Sequence, residues 1–419
     1  MSLNARVQEI RSGFSPTFWI ANTLELFERL AFYGSKAILA VFIADQVGLK
    51  EDASSLAGIF TFIIYFLPIL AGVFVDKYGF RKSLMACFFI FAIGYFLISI
   101  AGMEIGQGLT DTFGKKNFLL FTLIFTAVGG SLIKPCIVGT VALTSKPETK
   151  ALGFSIYYSL VNLGGAIGPI LAMFVRQSFG IEFVLVMSSI TSALMLLGTF
   201  LFFNEPTPQS GAIEEQRTFG QVFHNMAVVF TNVRFMTFLV IFSGFWLMFW
   251  NVFLLVPFYG TDVLDFQNFE LLETIDAVCI IVFTIPLAAL AKKLKPITAM
   301  TLGFVIATMC WVIMGLSITL TATVIGIAFF AVGEALQSPR YYEYVSNLAP
   351  KGQTGTFMGF AFLPVALGAI GCGFLADYLK NNLLMTNPSL MWFIVAGIGV
   401  VSTVLMLLYN AFLAPKQAD

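Results

Sequence analysis

The sequence predicts an all-α polytopic membrane protein, with twelve transmembrane helices in two halves of six. Three observations predict it. The 419-residue chain is 58% hydrophobic and 11% charged, with a mean hydropathy of +0.90, whereas soluble domains carry about 25% charged residues. Apolar segments recur from end to end at about 20 residues, the length a helix needs to cross a bilayer core of about 30 Å. One long polar stretch, Asn204 to Asn232, with Pro206, Pro208, Ser210, Gly211, Glu214 and Glu215, parts six segments from six. The expected organisation is a bundle over 1–203, an inner linker over 204–232 and a second bundle over 233–419.

Segment 1 (16–44) follows Arg6 and Arg11, placed like the basic start of a secretory signal. It is too long and too charged for one and lacks a small-residue cleavage site, so it stays as the first helix. Segment 2 (53–75) contains Pro68, and a basic loop leads from it into segment 3 (83–103). Segment 4 (117–144) carries Gly129, Gly130 and Pro135, and segment 5 (151–175) carries Gly164, Gly165, Gly168 and Pro169. Segment 6 (183–203) closes the first half. Segment 7 (234–258) opens the second, followed by segment 8 (271–291) with Pro286, segment 9 (297–319), segment 10 (321–347) with Pro339, segment 11 (354–379) with Pro364, and segment 12 (389–413). Each proline frees a backbone carbonyl and permits a kink, while each glycine lets helices approach closely.

Formal net charge is zero, so no basic surface argues for nucleic acid. The placement of basic residues sets the orientation instead. With the N-terminus inside, the inner segments hold Arg6, Arg11, Lys77, Arg81, Lys82, Lys146, Lys150, Arg217, Arg234, Lys292, Lys293, Lys295, Arg340, Lys351 and Lys416. The outer loops hold Lys50, Lys115, Lys116, Arg176 and Lys380. Fifteen against five places both termini in the cytoplasm of a plasma (inner) membrane protein.

Segment 1 also carries the chemistry. Glu25, Glu28, Arg29, Tyr33 and Lys36 share one helical face, while Leu26, Leu30, Ile38 and Leu39 cover the others. A charge at bilayer depth costs about 2.5–3.5 kcal/mol on insertion scales, so such residues face a bundle interior or a water-filled cavity and mark a transport pathway. With Lys134 of segment 4 they make two acids and two strong bases at one depth, able to neutralise each other. Protonating one glutamate would release its basic partner for a substrate carboxylate, which couples proton and anion. A static ion-pair network that only holds the fold is the alternative.

Other chemistries lack their residues. The single histidine, His224, falls in the linker, so a proton relay within the membrane would use carboxylates. Cys87, Cys136, Cys279, Cys310 and Cys372 lie in apolar segments without metal-ligand spacing, and neither a phosphate-binding loop nor a Ser-His-Asp arrangement is seen. A transporter without cofactor or metal, with protons as coupling ion, is expected rather than an enzyme.

The six-plus-six organisation resembles the major facilitator fold, in which two halves rock about a central site. The loop Gly72-Val73-Phe74-Val75-Asp76-Lys77-Tyr78-Gly79-Phe80-Arg81-Lys82 resembles that superfamily's motif between helices 2 and 3. Gly79 would permit the tight turn, Asp76 would pair at a helix end, and Arg81 and Lys82 would anchor the inner interface, so Gly72, Asp76, Gly79, Arg81 and Lys82 are expected to form a conformational latch. A plain topogenic basic loop is the alternative.

Five further matches resemble the proton-coupled oligopeptide transporter family: Glu25-x-x-Glu28-Arg29-x-x-x-Tyr33, Tyr65-x-x-Pro68, Gly129-Gly130 through Lys134-Pro135, Tyr157-Tyr158 through Asn162-Leu163-Gly164, and Gly333-Glu334 through Pro339 with Ala349-Pro350. The resemblance implies uptake of di- and tripeptides or similar zwitterions by alternating access. Glu25, Glu28, Arg29 and Lys134 would couple protons. Lys36 would stand where the family has an arginine for the peptide C-terminus, a looser contact because lysine lacks arginine's fork. Glu334 would hold the substrate ammonium, so that a zwitterion spans the halves, and Tyr33, Tyr65, Tyr157 and Asn162 would line the site. A monomer is the fold-level expectation.

Two departures stand out. Where the family carries an acid on helix 7, this chain reads Phe245-Trp246-Leu247-Met248-Phe249-Trp250-Asn251, with Trp250 in the acid's place. Asp276 of segment 8 is a candidate substitute, a solvent-facing helix-end residue being its alternative. The two extra helices many bacterial members insert between halves are also missing. Competing readings are therefore a facilitator-fold transporter of a drug, amino acid or organic anion without proton coupling, and a membrane receptor that binds ligand without moving it.

Overall fold

In the computed structural model, the structure describes residues 13–146, 148–207, 219–350 and 354–414. Arg6, Arg11, Arg217, Lys351 and Lys416 of the expected inner basic set lie outside the described residues, as does the linker over 208–218.

The described chain is almost entirely helical. Ten of its helices are long and apolar enough to cross a membrane, and the pair Lys50–Phe66 and Pro68–Tyr78, bent by 49°, makes an eleventh. The helix Pro16–Val41 has 26 residues, ample length for a span. Its four charges, Glu25, Glu28, Arg29 and Lys36, set it apart from the apolar spans, and all four are buried. Every span lies within a couple of turns of its expected extent.

Proline acts differently by position. Pro68 opens the second piece of segment 2, where its missing N–H belongs to a helix's first turn and has no partner to lose. Segment 4 breaks at Ser131–Leu132 into Lys115–Gly130 and Ile133–Thr144, which puts Pro135 in a first turn as well. Pro169, Pro286 and Pro339 instead lie inside continuous helices.

The chain forms two compact units. One contains the residues up to Ile38 and Leu67–Val222, the other Leu39–Phe66 and everything from Phe223 onward. In the first, Phe80–Ile100 packs between Lys115–Gly130 and Glu182–Phe202, and Pro16–Val41 meets Lys150–Phe179 at a glycine seam. A Cβ on Gly34 would lie 3.0 Å from the Gly168 carbonyl oxygen, and one on Gly168 would lie 2.9 Å from that of Leu30. Ser35 and Ser188 hydroxyls, 2.9 Å apart, tie the same helix to Glu182–Phe202.

The second unit is rich in aromatic packing. Trp311 stacks on Trp392 at 5.2 Å, and Phe242 stacks on Tyr341 at 4.1 Å. The most extensive helix pair is Pro296–Leu316 with Leu320–Leu348, brought together at Gly303 and Gly333. A Cβ on Gly333 would lie 2.6 Å from the Gly303 carbonyl oxygen and 2.8 Å from the Ala307 nitrogen, both backbone atoms. Gly333 therefore sets the depth and rotation at which its neighbour Glu334 is presented. Overpacked cores lose about 1–3 kcal/mol, so Gly333→Ala is expected to lower the melting temperature of the purified protein by several degrees. An unchanged melt would show that the seam can widen without cost.

Candidate functional site

The helix Pro16–Val41 places its charged stripe inside the first unit. Arg29 donates from Nε to Glu28 at 2.5 Å and lies 3.4 Å from the Glu25 carboxylate, one turn away. Glu25, Glu28 and Arg29 are 1%, 1% and 4% exposed. An ion pair removed this far from water must be nearly complete in its partners, because the desolvation penalty of each charge is several kcal/mol. Two more residues approach it from other helices. The Tyr157 hydroxyl, on Lys150–Phe179, hydrogen-bonds the Glu25 carboxylate, and Lys134, on Ile133–Thr144, lies within electrostatic range of Glu25, Glu28 and Arg29. The break at Ser131–Leu132 sits just before Lys134 and starts the helix that carries it.

Aromatic faces complete the cluster. Arg29 lies 4.8 Å from the Phe32 ring centroid and 5.9 Å from that of Tyr33, and Lys36 lies 5.8 Å and 5.9 Å from the same two rings. Rings at this range stabilise cations by about 0.5–2 kcal/mol. The expected residues Glu25, Glu28, Arg29, Tyr33, Lys36, Lys134 and Tyr157 thus fall on three helices of one unit. Asn162, on the Tyr157 helix, donates its side-chain amide to the Tyr158 carbonyl at 2.8 Å.

Gly164 explains why the last motif position of that helix carries no side chain. A Cβ there would lie 2.4 Å from Arg29 Cβ and 3.2 Å from the Arg29 carbonyl carbon. The helix pair closes on the arginine itself.

The remaining candidates belong to the second unit. Tyr65 packs against Trp250 with ring centroids 5.7 Å apart, and the Trp250 indole N–H donates to the Val365 carbonyl at 2.9 Å. Trp250 is 1% exposed, so its indole N–H is already engaged by the chain. Asp276 is buried on Glu270–Ala291, and Glu334 is half-buried on Leu320–Leu348. These helices pack together through Ile280 against Ala331 and Ala335. Glu270 and Glu273, buried on the same helix as Asp276, were not singled out from sequence. The three-residue steps from Glu270 to Glu273 and from Glu273 to Asp276 were the available signal.

The loop before Phe80–Ile100 is built around an unforeseen residue. Gly79 has φ of +85°, a conformation side chains rarely adopt. This turns the first amides of the next helix toward Glu205, whose carboxylate accepts from Phe80 N at 2.6 Å and Arg81 N at 3.0 Å. Arg81 in turn donates to the Phe200 carbonyl at 2.5 Å, at the end of Glu182–Phe202, where a cation also meets the negative end of the helix dipole. Asp76 is half-buried and Lys82 exposed, while a Cβ on Gly72 would meet nothing within 4 Å.

Two outcomes are expected from this geometry. Gly164→Ala should cut transport at least about tenfold by displacing Arg29, since misplacement of about 1 Å costs that much or more. Gly198→Ala, whose Cβ would lie 3.8 Å from Leu24, should leave it unchanged. Equal effects would dissociate the seam from function. Glu205→Ala should lower stability by about 0.5–2 kcal/mol, the usual cost of a lost cap, read as a drop in melting temperature; an unchanged melt would show the cap to be idle.

Known proteins share the fold that carries this geometry. The chain is 24% identical over 409 residues to the multidrug resistance protein MdtH of Aeromonas hydrophila, covering 94% of this chain and 95% of that protein. It is 28% identical over 167 residues to dipeptide and tripeptide permease B of Xenorhabdus bovienii, covering 39% of this chain and 32% of the permease. Among solved structures, it matches a POT family transporter in complex with a thioalcohol-conjugated peptide at a TM-score of 0.77 and 17% identity, covering 95% and 96% of the two chains. It also matches the POT family transporter PepTSo at 0.76 and 16%, covering 94% and 97%. These likenesses bear out the helical major facilitator fold. The Major Facilitator Superfamily model matches residues 24–372, and the chain belongs to that superfamily of membrane transporters, not enzymes.

Proposed function

We propose that this transporter takes up di- and tripeptides, or zwitterions resembling them, together with protons by alternating access. It would act as a monomer of the plasma (inner) membrane with both termini cytoplasmic, protons being its only coupling ion. The observation that carries the proposal is the buried arrangement of Arg29 between Glu25 and Glu28, with Lys134 and Tyr157 beside it.

The chemistry follows from charge balance. With both glutamates ionised, Arg29 and Lys134 are neutralised within the cluster and attract an anion weakly. A proton on Glu28 removes one negative charge and leaves the bases in excess, so a substrate carboxylate is drawn in where burial makes each charge count. Linkage makes the effect reciprocal: bound carboxylate raises the affinity for the proton by the same factor. Release of the proton to the other side restores the Arg29–Glu28 pair and expels the substrate. Lys36 would add a second cation for the carboxylate, while Tyr33, Tyr157 and Asn162 would offer ring faces and amide contacts. In the second unit, Glu334 and Asp276 are proposed for cationic groups, with Tyr65 and Trp250 as aromatic walls. The latch reading of Gly72, Asp76, Gly79, Arg81 and Lys82 is likewise a proposal, supported by the Gly79 turn and the Arg81 anchor.

A second reading is favoured by the near full-length similarity to a multidrug resistance protein and by Trp250 where an acid is expected. It keeps the fold and exchanges the cargo for an apolar drug-like solute.

Reconstituted liposomes separate the readings. An inward proton gradient should drive accumulation of labelled dialanine, increasing as the outer medium is acidified. Glu28→Gln or Lys134→Ala should each reduce gradient-driven uptake by at least about tenfold, the scale of losing one partner of a buried charged pair. Lys36→Arg should lower KM severalfold by supplying a bidentate fork. Accumulation that ignores the gradient, or survives both charge substitutions, would overturn the proton-coupled reading; drug counterflow without dialanine uptake would establish the second.

A further inference from the structure

The connection between the spans Phe80–Ile100 and Lys115–Gly130 is itself helical. A turn of Glu104–Gly106 runs into Gln107–Phe113 and stops at Gly114, where φ is +78°. At about 100° per residue, this stretch divides into three sectors. Ile105, Leu109 and Phe113 share one arc and are 77%, 41% and 61% exposed. Gly106 and Thr110 occupy the next arc and are buried, Gly106 so closely that a Cβ there would collide with the Ile100 carbonyl. Glu104, Gln107 and Asp111 take the far side and are exposed.

The place of this stretch in the chain says what its apolar arc meets. Phe80–Ile100 has 21 residues, about 31 Å of helix, which matches a hydrocarbon core of about 30 Å. Its end at Ile100 and the start of the next span at Lys115 therefore lie at the hydrocarbon boundary, and a segment pressed on the Ile100 carbonyl lies in the headgroup layer. Both flanking spans also present exposed apolar rows to lipid, Phe89, Ile93 and Phe96 on one, and Phe121, Ile124 and Val128 on the other. The arc of Ile105, Leu109 and Phe113 continues that lipid-facing surface. Lys115 and Lys116, both exposed, follow at the same level, where lysine stems lie along apolar surface and extend their ammonium groups to the headgroups.

We propose that Glu104–Phe113 is an interfacial anchor, lying in the plane of the bilayer surface with Ile105, Leu109 and Phe113 in lipid and Glu104, Gln107 and Asp111 in water. A helix so placed buries its apolar side about 5–10 Å into the boundary between headgroups and acyl chains. The partner is the phospholipid surface itself. Glu104 and Asp111 balance Lys115 and Lys116 in charge, so the fit is apolar and needs no anionic lipid. Because Phe80–Ile100 packs against both Lys115–Gly130 and Glu182–Phe202, the anchor sets the depth of three helices of the first unit at once.

The test is spin-label accessibility on the full chain in phosphatidylcholine nanodiscs, without substrate, so it stands or falls apart from the cargo reading. Cysteines are introduced singly on the two exposed arcs, and the signal of the parent chain, whose Cys87, Cys136, Cys310 and Cys372 are buried, is subtracted. Labels on Ile105→Cys and Leu109→Cys should collide severalfold more with oxygen, which concentrates in lipid, than with a water-soluble nickel complex. Labels on Gln107→Cys and Asp111→Cys should show the reverse preference. All four positions are exposed, and Phe113→Cys replaces an apolar-arc variant that fails to fold. Equal nickel access on both arcs would put the apolar arc in water and overturn the proposal. Shielding of the apolar arc from both reagents would overturn it too, by showing that protein, from this chain or a second copy, covers the arc.

Discussion

Burial of Arg29 against Glu25 and Glu28 is the constraint from which the rest of the first unit follows. Three ionisable groups on two turns of one helix, each at most 4% exposed, are tolerable inside a bilayer only if further polar groups converge on them. Tyr157 and Lys134 do so from two other helices. Reaching them requires close helix approach, which the glycines of the Pro16–Val41 and Lys150–Phe179 seam permit, Gly164 against Arg29 most directly. The cluster and the seam are one structural problem solved jointly.

The same economy of contact appears wherever the chain has to turn or move. Segment 2 breaks before Pro68 and segment 4 before Pro135, so that each proline falls in a first turn, where its missing N–H is harmless. Helix starts are then completed by acids distant in sequence. Glu205 serves the start of Phe80–Ile100 and Asp377 the start of Ala53–Phe66, each accepting two backbone amides. Both acids lie near helix ends, where a negative charge can satisfy unpaired N–H groups and also favour the positive end of the dipole.

What could be read from sequence divides along physical lines. That the chain crosses the membrane many times was legible because bilayer thickness imposes a length and an apolarity on every crossing helix, a pattern from which Pro16–Val41 departs through its four buried charges. The stripe of Glu25, Glu28, Arg29, Tyr33 and Lys36 was legible because helical periodicity alone assigns residues to a face. Convergence of Lys134 and Tyr157 on that face was expected from motif resemblance, since hydropathy carries no information about which helices touch. Glu205 and Asp377 were not legible. Their partners lie 125 and 323 residues away, and neither acid belongs to a local pattern. The docking of Leu39–Phe66 on the second unit escaped notice for the same reason: a uniformly apolar helix gives no sign of its neighbour, and Gly58 and Gly373 announce close approach without saying to what.

The central claim is that the Glu25–Glu28–Arg29 cluster exchanges a proton for a carboxylate. Infrared difference spectroscopy of the protein in lipid, acidic minus neutral, tests it most directly by recording the stretch of a protonated carboxyl group. A band that appears on acidification, is lost in Glu28→Gln and shifts when dialanine binds is the expected result. A spectrum without such a band, or one that Glu28→Gln and dialanine both leave untouched, would contradict the claim and leave the cluster as a static ion pair.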